Sequence, residues 1–421
     1  MKIKIQPMIR LNDRFLASFN YYPPLFEDGF NRAEPEFCRI RASNDHEAVL
    51  NFLEYYAKDE KTVKSYAKEI ERFLQWLWNV RHISISAIGH EDINAFQVFL
   101  ADPKPKATWC GPRAKRYKPD GTINPKWRLF QSSNDNAGLK ASSINTAMRV
   151  VICFFSHLVE GGYLRGSPIM RNKRTKKDFA GRGALERFLY KEQVQFIIWA
   201  LKDELNQIYP DDIKQRFKIH REIFLLKLFF FTGIRLEEAS TLSMGDLAGR
   251  SHHYFKVIGK GNKPRDVDLG DQFIQALKEY RLNAGYPSAL PTTNESDWPL
   301  IAGESRRPDQ AVNFTHRITD KSIHQSIKKT FRMAAEKLRK EAEHDHLADK
   351  ELLMSDAAHI ENASAHWLRH SRATYMVESN RTLTEVMDQL GHADLSTVTI
   401  YTHVLRENKR HIANCVVLEE L

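Results

Sequence analysis

Apolar residues recur at helical spacing over much of the chain. Val49, Phe52, Leu53 and Tyr56 mark one stripe, and Val63, Tyr66, Ile70, Phe73 and Leu74 mark the next. Positions three and four apart share a helix face, so both segments read as amphipathic helices. Ile93, Phe96, Phe99 and Leu100 predict a third helix, and Ile144, Met148, Val151, Phe154, Leu158 and Val159 a fourth. Helical stripes resume at Val194, Phe196, Ile197 and Leu201, and again from Ile223 to Phe231 before Thr232-Gly233. Two short extended segments, Tyr254 to Ile258 and Arg265 to Leu269, flank Gly259-Lys260-Gly261-Asn262-Lys263-Pro264 and predict a β-hairpin. Everything after Asp271 reads as helix or loop, irregular from Gly285 to Asp309. The expected fold class is mainly α with a small antiparallel β-sheet: a helical domain followed by an α+β domain.

Breaks in the pattern set the expected boundaries. Residues 1–44 mix aromatics, prolines and charges without a period and read as an N-terminal extension that docks on another surface. The helical domain spans 45–165 and carries an insertion, 102–140, in which Pro103, Pro105, Pro112, Pro119 and Pro125 alternate with lysines and arginines. That insertion reads either as a solvated loop, as charge runs usually are, or as a phosphate-contacting arm, since Trp109, Tyr117 and Trp127 interleave its cations. Residues 166–187 form a basic linker containing Arg171, Lys173, Arg174, Lys176 and Lys177, candidate DNA contacts. A longer domain, 188–412, and a short apolar tail, 413–421, follow.

Length supports two domains, because one core seldom organises 421 residues. At 42% hydrophobic and 28% charged the chain is of ordinary globular composition. Its 63 Lys plus Arg against 53 Asp plus Glu give a formal net charge of +10, which favours a polyanionic partner. Cys38, Cys110, Cys153 and Cys415 fall into no metal-binding or disulfide pattern, consistent with a reducing cytoplasm. The N-terminus lacks a signal-peptide pattern, and the Ile223 to Phe231 run is too short to span a bilayer.

Five local patterns carry chemistry. In Thr232-Gly233-Ile234-Arg235-Leu236-Glu237-Glu238-Ala239 a glycine stops one helix and an arginine begins the next. Glu238, three residues on, can hold the Arg235 guanidinium so that it forks a phosphate. In His366-Trp367-Leu368-Arg369-His370, His366 and Arg369 share a face. The His366/His370 spacing would allow zinc, but no metalloprotease glutamate or third ligand accompanies it. Thr382 and Glu385 open a capping box on a helix that Gly391 closes ahead of His392. Tyr401 and His403 sit on a further helical pattern, Leu395 to Asn408. A tyrosine has a pKa near 10 and becomes a nucleophile only with cations or a base beside it. Lys260 is followed by Gly261-Asn262 rather than Ser or Thr, which argues against a nucleotide-binding loop and for a lysine at a hairpin tip.

Together Arg235, Lys260, His366, Arg369, His392 and Tyr401 resemble, in order and local context, the tyrosine recombinase (phage integrase) family over roughly residues 187–410. The helical segment resembles its core-binding domain. The resemblance implies that Arg235 and Arg369 clamp the scissile phosphate and that His366 and His392 complete the pocket. Tyr401 would attack to form a 3′-phosphotyrosyl intermediate, Lys260 would protonate the leaving 5′-oxygen, and Glu238 would support Arg235. It implies no cofactor or metal, and double-stranded DNA with specific recombination sites as partner. It also implies a synaptic tetramer, other recombinases or accessory proteins of the same element, a tail that packs either on its own domain or into a neighbouring protomer, and a prokaryotic cytoplasmic, nucleoid-associated location. The additions at 102–140, 285–309 and 339–356 leave the branch open among phage integrase, chromosome-dimer resolvase and recombinase of a transposon or integrative element, and favour a mobile-element recombinase in integration, excision or transposition. The alternatives are a type IB topoisomerase-like enzyme and a catalytically inactive DNA-binding accessory protein.

Overall fold

In the computed structural model, residues 5–131, 138–170, 187–248, 253–259, 263–307, 309–343, 347–379 and 381–391 are described. The chain divides into two compact units, Met1–Thr175 and Lys176–Leu421. The fold is mainly helical with small antiparallel sheets.

Unit 1 is built on α1 (Asp45–Tyr55), α2 (Glu60–Trp76), α3 (His90–Ala101) and α4 (Ala141–Glu160). The Asn44 side chain caps α1 by accepting from Glu47 N at 3.1 Å, and Asp59 caps α2 by accepting from Thr62 N at 3.1 Å. The apolar stripes face one another: Phe52 lies 5.1 Å from Phe154, and Phe73 lies 5.1 Å from Phe96, ring centre to ring centre. α4 is long and apolar enough to cross a membrane by length and composition. Here its Val151, Phe154, Phe155 and Leu158 are fully buried in this core.

Two segments differ from the sequence expectation. Residues 5–44 dock on the unit's own core: β1 (Ile9–Leu11) pairs antiparallel with β2 (Ala17–Phe19), and Met8, Ile9 and Phe19 are buried with the helices. The anchor is Glu71 on α2, fully buried, which accepts from the Met8 and Ile9 amides and ion-pairs with Arg116. The insertion, over its described part, is likewise a packed element. Trp109, Trp127, Leu129 and Phe130 are buried, with Phe99 5.0 Å from Trp109 and 5.5 Å from Phe130. Alternation with charges hid these anchors, because a single large aromatic carries enough apolar area to fix a loop without any period.

Unit 2 is organised around α6 (Ile213–Thr232), which packs against α5 (Lys191–Gln207), α8 (Asp271–Asn283), α9 (Asp320–Glu343) and α11 (Ala365–Glu378). Phe224 of α6 stacks on Tyr280 of α8 at 4.4 Å. Short α7 (Leu236–Thr241) follows, then a three-stranded antiparallel sheet of β3 (Leu247–Ala248), β4 (Tyr254–Ile258) and β5 (Pro264–Asp268). Alternation decides its faces: Phe255 and Val257 are buried, and Phe255 pairs across the strands with buried Val267. Beyond Asp271 the structure adds an antiparallel pair, β6 (Ala302–Glu304) and β7 (Val312–Arg317), where only helix and loop were expected. The loop before it is held by a buried ion pair, Arg281 Nη2 to Glu295 Oε2 at 2.8 Å. Helices α10 (Leu347–Asn362) and α12 (Leu383–Leu390) complete the described part.

Candidate active site

The first motif sits at the joint between α6 and α7. Gly233 ends α6 with φ +65°, a left-handed turn that glycine adopts at little cost. Arg235 then serves as the N-cap of α7. Glu238 does two things at once: its Oε2 accepts from the Arg235 amide at 2.7 Å, capping the helix, and its Oε1 accepts from Arg235 Nη1 at 3.0 Å. The Arg235 guanidinium is fixed from a second side by Nη2 donating to Gly391 O at 2.9 Å. Spacing alone anticipated the Arg235–Glu238 pair.

His366 and Arg369 project from the first turns of α11. Arg369 is buried and donates through both terminal nitrogens to backbone carbonyls, Gly233 O and Leu390 O. It thereby joins the end of α6 to the end of α12. His366 opens onto the cavity but is partly enclosed, and this partial desolvation, followed by the charges of Arg369, Arg235 and Arg187, holds its imidazole below the ordinary value. It is therefore neutral near pH 7 and able to donate one hydrogen bond and accept another. The rings of His366 and His370 pack edge to face with centres 4.4 Å apart.

The hairpin supplies the third side. Arg265, near the start of β5, forks Glu238 with two hydrogen bonds of 2.8 Å each. Burial raises the Glu238 carboxyl, but the bonds from Arg265 and Arg235 and the charge of Arg265 pull it net below the usual range. β5 is also fastened to α12, since Asp268 N donates to Gln389 Oε1 and Gln389 Nε2 to Asp268 O, both at 3.1 Å. Gly391 closes α12 with φ +64°. The result is a cavity of about 510 Å³ whose lining includes Arg235, Glu238, Ile258, Gly259, His366 and Arg369.

Of the residues expected from sequence, Arg235, Glu238, His366 and Arg369 converge on this cavity. Lys260, His392, Tyr401 and the linker cations Arg171, Lys173, Arg174, Lys176 and Lys177 lie outside the described residues. Lys260 directly follows Gly259, which lines the cavity, and His392 directly follows Gly391, whose carbonyl binds Arg235. Sequence reading missed Arg265, because its partner Glu238 is 27 residues away and only the register of the sheet brings them together. It also assigned Arg187 to the linker alone, whereas that charge acts on His366.

The cavity is lined by the guanidiniums of Arg235 and Arg369 and by the carboxylates of Glu237, Glu238 and Asp320. Glu238 is already held by four donors, and the two guanidiniums suit a group that is anionic and gains charge. Attack on a phosphodiester loads its nonbridging oxygens in that way, and donors already in place stabilise the change without reorganising.

The family model described as the phage integrase family matches residues 187–408. The tyrosine recombinase XerC of Vibrio parahaemolyticus is 27% identical over 283 residues, covering 67% of this chain and 74% of that one. XerC of Chlorobaculum parvum is 25% identical over 343 residues, covering 80% and 90%. Among solved structures, the XerH site-specific recombinase in a post-cleavage complex with palindromic difH substrate superposes with a TM-score of 0.53 at 17% identity, over 89% of this chain and 85% of that one. That likeness shows a shared fold.

Proposed function

This chain belongs to the phage integrase family, whose members cleave and rejoin DNA strands, and on that premise we propose that it is a site-specific recombinase with Tyr401 as nucleophile. The observation that carries the reading is the convergence of Arg235, His366 and Arg369 from separate segments on one cavity. In the proposed step Tyr401 passes its phenolic proton to a base in the pocket or to water, its oxygen attacks the scissile phosphorus, and the bond to the 5′-oxygen breaks. A 3′-phosphotyrosyl link and a free 5′-hydroxyl result. Arg235, Arg369, His366 and His392 hold the nonbridging oxygens, and Lys260 gives the leaving oxygen its proton. One phosphodiester is exchanged for another, so a 5′-hydroxyl from a different strand can reverse the step without ATP.

The helical unit is the proposed core-binding domain, and residues 188–412 are the proposed catalytic domain. The partners are duplex DNA bearing specific sites, further copies of the chain in a tetramer, and other recombinases or accessory proteins of the same element. The setting we favour is integration, excision or transposition of a mobile element, on the strength of the 102–140 and 285–309 additions. The test is to incubate the protein, without metal or ATP, with nicked duplexes from its own element's ends and resolve the products on denaturing gels. A covalent adduct that vanishes in Tyr401→Phe is expected. An adduct that persists in that variant removes the nucleophile assignment.

A further inference from the structure

We propose that Arg265 is a positioning residue whose charge cancels that of Glu238, leaving Arg235 its full positive charge for the phosphate. This rests on the recombinase reading above. A carboxylate offers about four lone-pair sites, and four donors meet Glu238. Oε1 accepts from Arg265 Nη1 at 2.8 Å and Arg235 Nη1 at 3.0 Å. Oε2 accepts from Arg265 Nη2 at 2.8 Å and the Arg235 amide at 2.7 Å. The Glu238 side chain is 4% exposed and that of Arg265 12%, so water screens this pair poorly.

The charge count decides what Arg235 can do. An isolated Arg235–Glu238 pair sums to zero and presents a weak field to an incoming anion. Two guanidiniums on one carboxylate sum to +1, and the surplus falls on Arg235, whose side chain is 34% exposed. Arg235 and Glu238 line the cavity whereas Arg265 does not appear in its lining, so Arg265 acts through Glu238 rather than on substrate. Its seat is made by two glycines. A Cβ on Gly391 would stand 2.8 Å from Arg265 Cδ, and one on Gly259 would stand 3.2 Å from Arg265 Nη1.

The experiment measures single-turnover cleavage of a nicked duplex by wild type, Arg265→Gln, Glu238→Gln and the double variant. Arg265→Gln is expected to slow cleavage by on the order of 10²-fold, the range for losing one donor at a developing charge, here Arg235 neutralised by an uncancelled Glu238, with DNA affinity nearly unchanged. Deleting the Glu238 charge as well restores the +1 balance, so the double variant is expected to cleave at least about tenfold faster than Arg265→Gln. In Arg265→Gln the rate should also rise relative to wild type as pH falls and Glu238 takes up a proton; Glu237, Asp320 and His366 line the same cavity in both proteins, so their titration cancels from the ratio. A double variant no faster than Arg265→Gln, or an Arg265→Gln protein that cleaves at the wild-type rate, overturns the proposal. If Arg265→Gln does not fold, Arg265→Lys decides: it keeps the charge and loses the fork. A rate within about tenfold of wild type then supports the charge role, and a loss on the order of 10² overturns it. A wild-type protein that forms no Tyr401-dependent adduct sinks the recombinase reading itself, whereas an active wild type with insensitive variants sinks this proposal alone.

Discussion

A glycine with positive φ is costly to replace, and more so when a side chain at that position would strike a neighbour. Gly391 and Gly285 separate the two effects. Gly391 has φ +64° and a Cβ there would meet Arg265 Cδ and Nε at 2.8 Å, while Gly285 has φ +79° and nothing within 4 Å. An alanine at either site pays roughly 1–2 kcal/mol for the left-handed backbone. Only at Gly391 must Arg265 also move, and with it the clamp on Glu238. Gly391→Ala is therefore expected to lower strand cleavage by at least about tenfold, and Gly285→Ala to lower stability by only the roughly 1–2 kcal/mol of the backbone cost, with cleavage unchanged. Melting curves and adduct kinetics on both variants check this, and equal cleavage in the two would show that the Gly391 contact is irrelevant. The arginines tell the same story about legibility. Arg235 and Glu238 could be paired from their spacing, because i and i+3 are neighbours at a helix start. Arg265 could not, because nothing local distinguishes it from Lys263 until β5 is placed in register with β4.

At the level of elements, local signals were readable and long-range ones were not. The four helices of unit 1, the Thr382–Glu385 capping box and the β4–β5 hairpin follow from caps, stripes and turn residues within a dozen positions of one another. The β1–β2 arm and the insertion depend instead on Glu71, a carboxyl in the middle of an amphipathic helix that a sequence reading would turn to solvent. β6 and β7 were missed because three and six residues, with only Ala302, Gly303 and Val312 buried, give no sustained alternation. The Glu71 clasp makes a sharp prediction. Burial pushes the Glu71 carboxyl above its usual value, opposed by Arg116 and by the amides of Met8 and Ile9. A carboxyl raised in the folded state favours folding when protonated and costs stability as pH rises through its folded pKa. Arg116→Ala removes the largest opposing charge, so it should destabilise unit 1 by roughly 3 kcal/mol near neutral pH. The loss should shrink between neutral pH and a lower pH at which Glu71 holds its proton with or without Arg116. Denaturant titrations at the two pH values measure it, and an equal loss at both would mean that Arg116 contributes packing on Trp127 rather than charge.

At the scale of the whole molecule, two units with separate cores are joined through a stretch, 166–187, whose seven cations carry no apolar stripe. A surplus of +10 draws the chain to any polyanion and does not by itself select a sequence. On the proposed reading the pocket in unit 2 would select a phosphate and not a base, since guanidiniums that hold nonbridging oxygens meet the same group at every step of the duplex. Sequence selection must then come from surfaces that reach base edges or respond to DNA shape. The linker cations should contribute affinity alone. Replacing Arg171, Lys173, Arg174, Lys176 and Lys177 with alanine is expected to reduce the slope of log K against log salt by about 0.9 for each phosphate that the protein no longer neutralises. The ratio of affinities for the element's own site and a scrambled duplex should stay as it was. Binding isotherms between about 50 and 200 mM salt on both duplexes give slope and ratio together. An unchanged slope would show that these cations are merely solvated, and a fall in the ratio at constant slope would mean that the segment reads sequence.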